Sequence, residues 1–285
     1  MLDRDEARKH TRRIVAQSGT SFAAGMRVLP KSRRDGMYAV YAFCREVDDI
    51  ADEGGTPEEK MAGLAAWREE LDRLFSGVPT YPTGFALMDT IREFNLPKEE
   101  FLLVIEGMEM DARGPIVAPP MTVLLDYCRR VAGAVGLLSI RIFGAQPDQK
   151  STEFALALAD ALQLTNILRD VTEDAAMGRI YLPRDLLDKH GVITRDAAKL
   201  LEDPGLGTVC EDLAKTARKR FGHARAALDG ADLSVMRPAL LMMGIYEKTL
   251  NRLEERGWEH TCIPIKLGKF EKLYTVLRWA VWPPV

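Results

Sequence analysis

Apolar residues recur along this chain at the three-and-four spacing of an amphipathic helix nearly from end to end. That periodicity is the strongest limit on what it can fold into. Alternating runs of Val, Ile or Thr are missing, as are the Asn-Gly pairs that close hairpins. The spacing predicts helices near 3–17, 20–28, 32–52, 57–75, 83–94, 98–111, 121–142, 151–173, 183–189, 205–228, 234–256 and 268–281. Ser32 is placed to cap the third of these. Gly54-Gly55 ends it, and Thr56-Pro57-Glu58-Glu59 opens the next with a cap, a first-position Pro and a third-position Glu. Loops are expected at Gly77 to Pro82, at Gly114 to Pro120 and at Asp203-Pro204-Gly205. No break reads as a linker and no repeat recurs. The expectation is a single all-α domain over 1–285, built of antiparallel helices.

Composition excludes several classes. With 47% hydrophobic residues the chain has the material for a core and is not disordered. Its 39 Lys and Arg against 42 Asp and Glu leave a net charge of −3, so no nucleic-acid partner is expected. Cys44, Cys128, Cys210 and Cys262 are far apart and form no CxxC pair, which predicts reduced thiols and neither a zinc site nor a redox dithiol. The charged start, with no apolar run behind it, predicts no secretory signal. The longest charge-free stretches, 76–88 and 114–125, fall short of the ~18 residues that a membrane span needs. A cytoplasmic protein is expected.

Charge placement says more than net charge. Tyr41, Arg45, Asp48 and Asp52 are spaced by four, three and four, so one helix face reads Tyr, Arg, Asp, Asp, with Asp49 beside it. Met37, Val40, Phe43, Cys44 and Val47 give the same helix its core side. Gln163, Asn166, Asp170 and Asp174 share a second face, and Arg169 and Glu173 are spaced to pair with each other. Like charges one turn apart repel, and partly buried carboxylates on central helices need cations. All-oxygen ligands favour Mg²⁺, which keeps waters and usually binds substrate phosphates too. The inference is a Mg²⁺–diphosphate site between two helices, with Arg45, Arg169, Arg179, Lys266 and Lys269 as candidate diphosphate-binding cations. Apolar walls would keep a carbocation from water once the diphosphate leaves.

At these motifs the chain resembles the squalene/phytoene synthase family of head-to-head prenyl synthases. The matching stretches are Ser21-Phe22, YAVYAFCREVDDIADE (38–53), Tyr127-Cys128 with Val131-Ala132-Gly133 and Gly136, LQLTNILRDVTED (162–174) and GRIYLP (178–183). The resemblance implies an isoprenoid synthase fold, with antiparallel helices around a central prenyl channel. Its wording is nearest the bacterial branch that makes presqualene diphosphate on the way to squalene and hopanoids. The alternatives within the family are phytoene, dehydrosqualene or squalene synthesis; outside enzymes, a silent assembly or binding relative.

The activity implied is the joining of two farnesyl diphosphates. The donor loses diphosphate, its C1 cation attacks the 2,3 double bond of the acceptor, and loss of a proton closes a cyclopropane. By resemblance Asp48, Asp52, Asp170 and Asp174 hold Mg²⁺ (Mn²⁺ is the alternative), with Asp49 and Asn166 as further ligands. Ser21, Phe22, Arg45, Gln163, Asn166, Arg169, Arg179 and Tyr181 meet substrate, and Tyr41 and Tyr246 steady the cation or relay the proton. Phe22, Met26, Leu137, Leu138, Leu241 and Met242 are candidate channel walls. No NADPH is expected for this half-reaction. Downstream pathway enzymes are candidate partners. The apolar tail around Trp279 and Trp282 is expected either to rest on the inner membrane or to pack on the body.

Overall fold

The computed structural model describes residues 4–20 and 22–265, with Leu267, Gly268, Glu271, Thr275, Arg278 and Trp279 beyond them. Its helices are α1 (Arg4–Ser18), α2 (Phe22–Arg27), α3 (Lys31–Asp52), α4 (Pro57–Phe75), α5 (Pro82–Phe94), α6 (Lys98–Ala112), α7 (Met121–Cys128), α8 (Ala134–Phe143), α9 (Gln149–Arg169), α10 (Val171–Ala176), α11 (Arg184–Lys189), α12 (Ala197–Leu200), α13 (Leu206–Ala227) and α14 (Leu233–Arg256). Among the described residues there is no strand, only an isolated parallel bridge between Val117 and Ile180. No helix among them is long and apolar enough to cross a membrane.

The expected all-α class holds, and most boundaries fall within a residue or two of the periodicity. Three local readings change. Ser32 caps nothing: Pro30 stands at the cap position, and the Ser32 hydroxyl donates to Glu93 at 2.6 Å. The helix expected over 121–142 is interrupted by a wide π turn at Arg129–Gly133. The helix expected over 151–173 stops at Arg169, because Asp170 leaves helical geometry with φ −103 and ψ 14. α12 is too short to register as a period; Asp196 caps it by accepting from the amides of Ala198 and Lys199. The Thr56 capping box forms as expected: Glu59 N donates to Thr56 Oγ1 at 3.2 Å and Thr56 N to Glu59 Oε2 at 2.8 Å.

The chain divides into two compact units. One comprises Met1–Gly114, Ala134–Thr152 and Gly230–Met242; the other comprises Pro115–Gly133, Glu153–Asp229 and Met243–Val285. In the first, α3 lies against α1, α2, α4, α5, α6 and α8. Its stripe of Met37, Val40, Phe43 and Val47 is buried as the periodicity requires. Phe43 meets Trp67 and Phe101 edge to face, each with ring centroids 5.2 Å apart. Glu70 of α4 is wholly buried but well satisfied: its carboxylate accepts from Thr80 N, Thr80 Oγ1, Tyr81 N and Arg73 Nε. Burial opposes its charge, yet those donors hold its pKa below the ordinary value. This fixes the start of α5.

In the second unit, residues 116–118 bind the segment after α10. Ala118 N donates to Ile180 O and Ile180 N to Ile116 O, both at 2.8 Å, and Arg184 N reaches Pro119 O at 2.8 Å. Trp279 is buried against α14 at Gly244, so this part of the tail packs on the body; Trp282 lies outside the described residues. A Cβ built on Gly244 would stand 2.6 Å from the Trp279 indole. Gly244→Ala should therefore destabilise the fold by about 1–3 kcal/mol and red-shift tryptophan emission as Trp279 is displaced. Equilibrium denaturation followed by fluorescence checks this; an unchanged midpoint and spectrum would refute the packing.

Candidate active site

The first acidic set is built on the last three turns of α3. Arg45 bridges two of its members, with Nη1 3.4 Å from Asp48 Oδ2 and Nη2 2.6 Å from Asp49 Oδ1. The second contact is an ion pair without hydrogen-bond alignment, because Asp49 Oδ1 is buried and accepts from no donor. Burial first, then the charge of Asp52, pushes the Asp48 carboxyl up to about 6; Arg45 pulls the other way, and Asp49 and Asp111 add to the rise. The Asp48 side chain is still 41% exposed, so water moderates the penalty. Tyr41 stands half-buried one turn before Arg45, and Asp52 is exposed one turn after Asp48. Burial, with the charge of Asp48, also raises the Cys44 thiol to about 12, which leaves it an unreactive thiol.

Asp111 is the member that sequence reasoning missed. It ends α6, buried on the same helix as Phe101, Val104, Ile105 and Met108. A carboxylate continuing an apolar stripe was the available signal, since such a position is costly unless the charge is used or paired.

The second acidic set straddles the end of α9. Asn166 Nδ2 donates to Gln163 Oε1 at 3.3 Å, while Asn166 Oδ1 is buried with no donor. Arg169 does not pair with Glu173 as the spacing suggested. Its Nε and Nη2 instead donate to the two Asp170 oxygens, both at 2.6 Å. The helix break accounts for this, since it swings Asp170 to the neighbouring guanidinium and leaves Glu173 exposed on α10. Burial works against the Arg169 charge, but Asp170 more than offsets it, so its pKa is raised. Tyr246 of α14 joins this group, hydrogen-bonded to Asn166 and Arg169; burial pushes its hydroxyl up and Arg169 holds it back. Asp174 keeps its place through its own amide, which donates to Asp170 O at 2.8 Å.

The GRIYLP segment closes on this group. Gly178, at φ +72, lets the chain turn back so that Arg179 N donates to Asp174 O at 2.9 Å. Tyr181 stacks on Tyr127, with centroids 5.3 Å apart and hydroxyls 3.5 Å apart. Tyr127 immediately precedes Cys128 and the π turn, a backbone irregularity frequent at functional sites. One turn earlier than Gln163, Asp160 is a half-buried carboxylate, 3.3 Å from Arg220 Nε. Phe22 is half-buried on α2; Ser21, Lys266 and Lys269 lie outside the described residues.

Does this donor set suit a hard cation? Among the described residues, no three or more His, Cys, Asp or Glu side chains converge closely enough to cage an ion alone. The donors are nonetheless right for Mg²⁺. Of the three buried polar side-chain atoms without a hydrogen-bond partner among the described residues, two are oxygens of these sets, Asp49 Oδ1 and Asn166 Oδ1. Oxygen ligands completed by water and phosphate are what Mg²⁺ prefers.

Residues 15–274 match the squalene/phytoene synthase family. The chain is 43% identical over 269 residues to a presqualene diphosphate synthase of Zymomonas mobilis subsp. mobilis, covering 94% of this chain and 91% of that protein. Its fold superposes on a squalene synthase of Alicyclobacillus acidocaldarius with a TM-score of 0.80 and 32% identity, covering 91% and 95% of the two chains. A dehydrosqualene synthase structure gives 0.85 and 27%, covering 98% and 97%. Helices carrying two such acidic sets define an isoprenoid-synthase-like protein. The chain belongs to the squalene/phytoene synthase family.

The raised Asp48 pKa fixes a sign. Its folded value, about 6, lies above the unfolded value near 3.8, so the folded state holds this proton more tightly. The contribution to stability worsens as pH rises from about 4 to about 6 and stays unfavourable above that. Asp48→Asn should accordingly raise the melting temperature of metal-free protein at pH 7.5 and leave it unchanged at pH 4. Melting curves in chelator at both pH values test this; an equal shift at both would contradict the assignment.

Proposed function

We propose that this chain condenses two farnesyl diphosphates head to head into presqualene diphosphate with release of diphosphate, feeding squalene and hopanoid synthesis. The observation that carries the reading is the 43% identity to a presqualene diphosphate synthase over more than nine-tenths of both chains. The acidic sets support it, since each joins oxygen donors to a guanidinium.

In this reading Asp48, Asp49 and Asp52, and separately Asn166, Asp170 and Asp174, hold Mg²⁺. Bound Mg²⁺ would supply positive charge to a departing diphosphate as the C1–O bond breaks and the electron pair leaves with oxygen. Arg45 and Arg169 have two jobs. Each neutralises its aspartates in the resting protein, and each is a permanent cation that can turn to phosphate oxygens instead. Arg179, whose amide donates to Asp174 O, is the candidate for a third. The stacked Tyr127 and Tyr181 offer an aromatic surface to a carbocation, and Tyr41, one turn before Arg45, is a separate aromatic candidate. Tyr246 is buried and stays protonated, and its hydroxyl oxygen accepts from Asn166 and Arg169 and so holds them in place; the diphosphate released is the stronger candidate for the base.

Purified protein given farnesyl diphosphate and Mg²⁺ without NADPH should yield presqualene diphosphate by mass spectrometry. Turnover confined to geranylgeranyl diphosphate would transfer the assignment to phytoene synthesis. Squalene formed only on adding NADPH would show that the reaction continues past presqualene diphosphate. Asp48→Ala and Asp170→Ala should each reduce turnover by about 10²- to 10³-fold with helical circular dichroism intact; full activity in either would remove that residue from the metal set.

A further inference from the structure

The helix that carries Asp174 cannot stand by itself. α10 spans six residues and begins beyond a residue that has left helical geometry, so α9 does not run on through it as one rod, although Asp174 N still donates to Asp170 O at 2.8 Å. Helices this short need outside contacts. α12 lies against one side. In its first turn the Thr172 hydroxyl donates to Thr261 O at 3.2 Å, a hold from a distant stretch of chain.

Thr261 lies in the turn that follows α14, and Arg256, the last residue of α14, binds that turn. Its Nη1 donates to the same Thr261 carbonyl at 3.3 Å and to Ile263 O at 2.8 Å, and its Nε donates to Gly257 O at 3.3 Å. All of these acceptors are main-chain carbonyls. Among the described residues no carboxylate pairs with Arg256, and its Nη2 is buried without a partner. Desolvation lowers its pKa. Arg256 is half-buried, and leaving its Nη2 without a partner is unfavourable. What the arrangement achieves is a turn pinned at three carbonyls, one of which is also the anchor of α10.

We propose that Arg256 is a positioning residue for the acidic set: through the Thr261 carbonyl it shares with Thr172, it fixes α10 and so the direction of Asp174. α14 then grips the chain on both sides of the break, with Tyr246 holding Asn166 and Arg169 before it and Arg256 steadying α10 after it. The proposal rests on the reading of Asp174 as a Mg²⁺ ligand.

The test uses full-length Thr172→Val, Thr172→Ser, Arg256→Gln and the Val/Gln double variant. One readout is the Mg²⁺ concentration for half-maximal turnover of farnesyl diphosphate. A second is the thermal upshift given by Mg²⁺ with inorganic diphosphate. A third, free of metal, is hydrogen exchange of the α10 amides. Thr172→Val and Arg256→Gln should each raise the Mg²⁺ requirement about tenfold, shrink the upshift and speed α10 exchange. Thr172→Ser, which keeps the hydroxyl, should behave like the parent, and the double variant should be no worse than the worse single one. Unchanged α10 exchange in both single variants overturns the proposal, as do effects that multiply in the double variant. If Asp174→Asn leaves the Mg²⁺ requirement unchanged while α10 exchange responds as stated, the metal reading has failed and the positioning has not.

Discussion

Four carboxylates, those of Asp48, Asp49, Asp52 and Asp111, are held close enough that the Asp48 proton feels the charge of the other three. One guanidinium, Arg45, pairs with two of them. An isolated helix would relieve such repulsion by fraying, since each like-charge pair costs a few tenths of a kcal/mol. α3 does not have that freedom. Its opposite side is locked by Phe43 between Trp67 of α4 and Phe101 of α6, and by neighbours on α1, α2, α5 and α8. Core packing therefore holds in place a surface that electrostatics alone would disperse. The result is a site that is poised for added positive charge.

The second acidic set solves a different problem, with backbone rather than with packing. A continuous helix through residue 173 would place Arg169 opposite Glu173. The break at Asp170 gives Arg169 a two-pronged bond to Asp170 instead, and makes α10 a separate piece that must be aimed. The π turn after Tyr127 is comparable. It interrupts an otherwise regular helix beside the stacked Tyr127–Tyr181 pair. Both irregularities fall beside residues of the candidate site, as is common when backbone geometry serves function before local stability.

Much of this was legible in residue order. The buried stripe of α3, the capping box at Thr56 and the face shared by Gln163 and Asn166 follow from spacing, because helical period and cap chemistry are local. The two helix interruptions were not legible: no Pro or Gly stands at Asp170, and Gly133 only closes the π turn, so tertiary contacts override good local propensity. Asp111 was hidden for a related reason. Periodicity sorts apolar from polar and gives no weight to a carboxylate at the end of an apolar stripe. The partner of Arg169 was misread because the i, i+4 rule presumes an unbroken helix.

These two kinds of element divide the work of the molecule. The long helices, rich in fully buried Phe, Leu and Ile, supply stability and are tolerant of conservative repacking. The pieces that bear on chemistry are short: a five-residue π turn, a six-residue helix, and a loop closed by Gly178. Their order comes from main-chain bonds, such as Arg179 N to Asp174 O and Ile180 N to Ile116 O. Such bonds are directional and sensitive to displacement in a way that apolar contacts are not. Changes in the long helices should thus be felt first as lost stability, whereas changes in these bonds should be felt first as misplaced ligands in a protein that still folds.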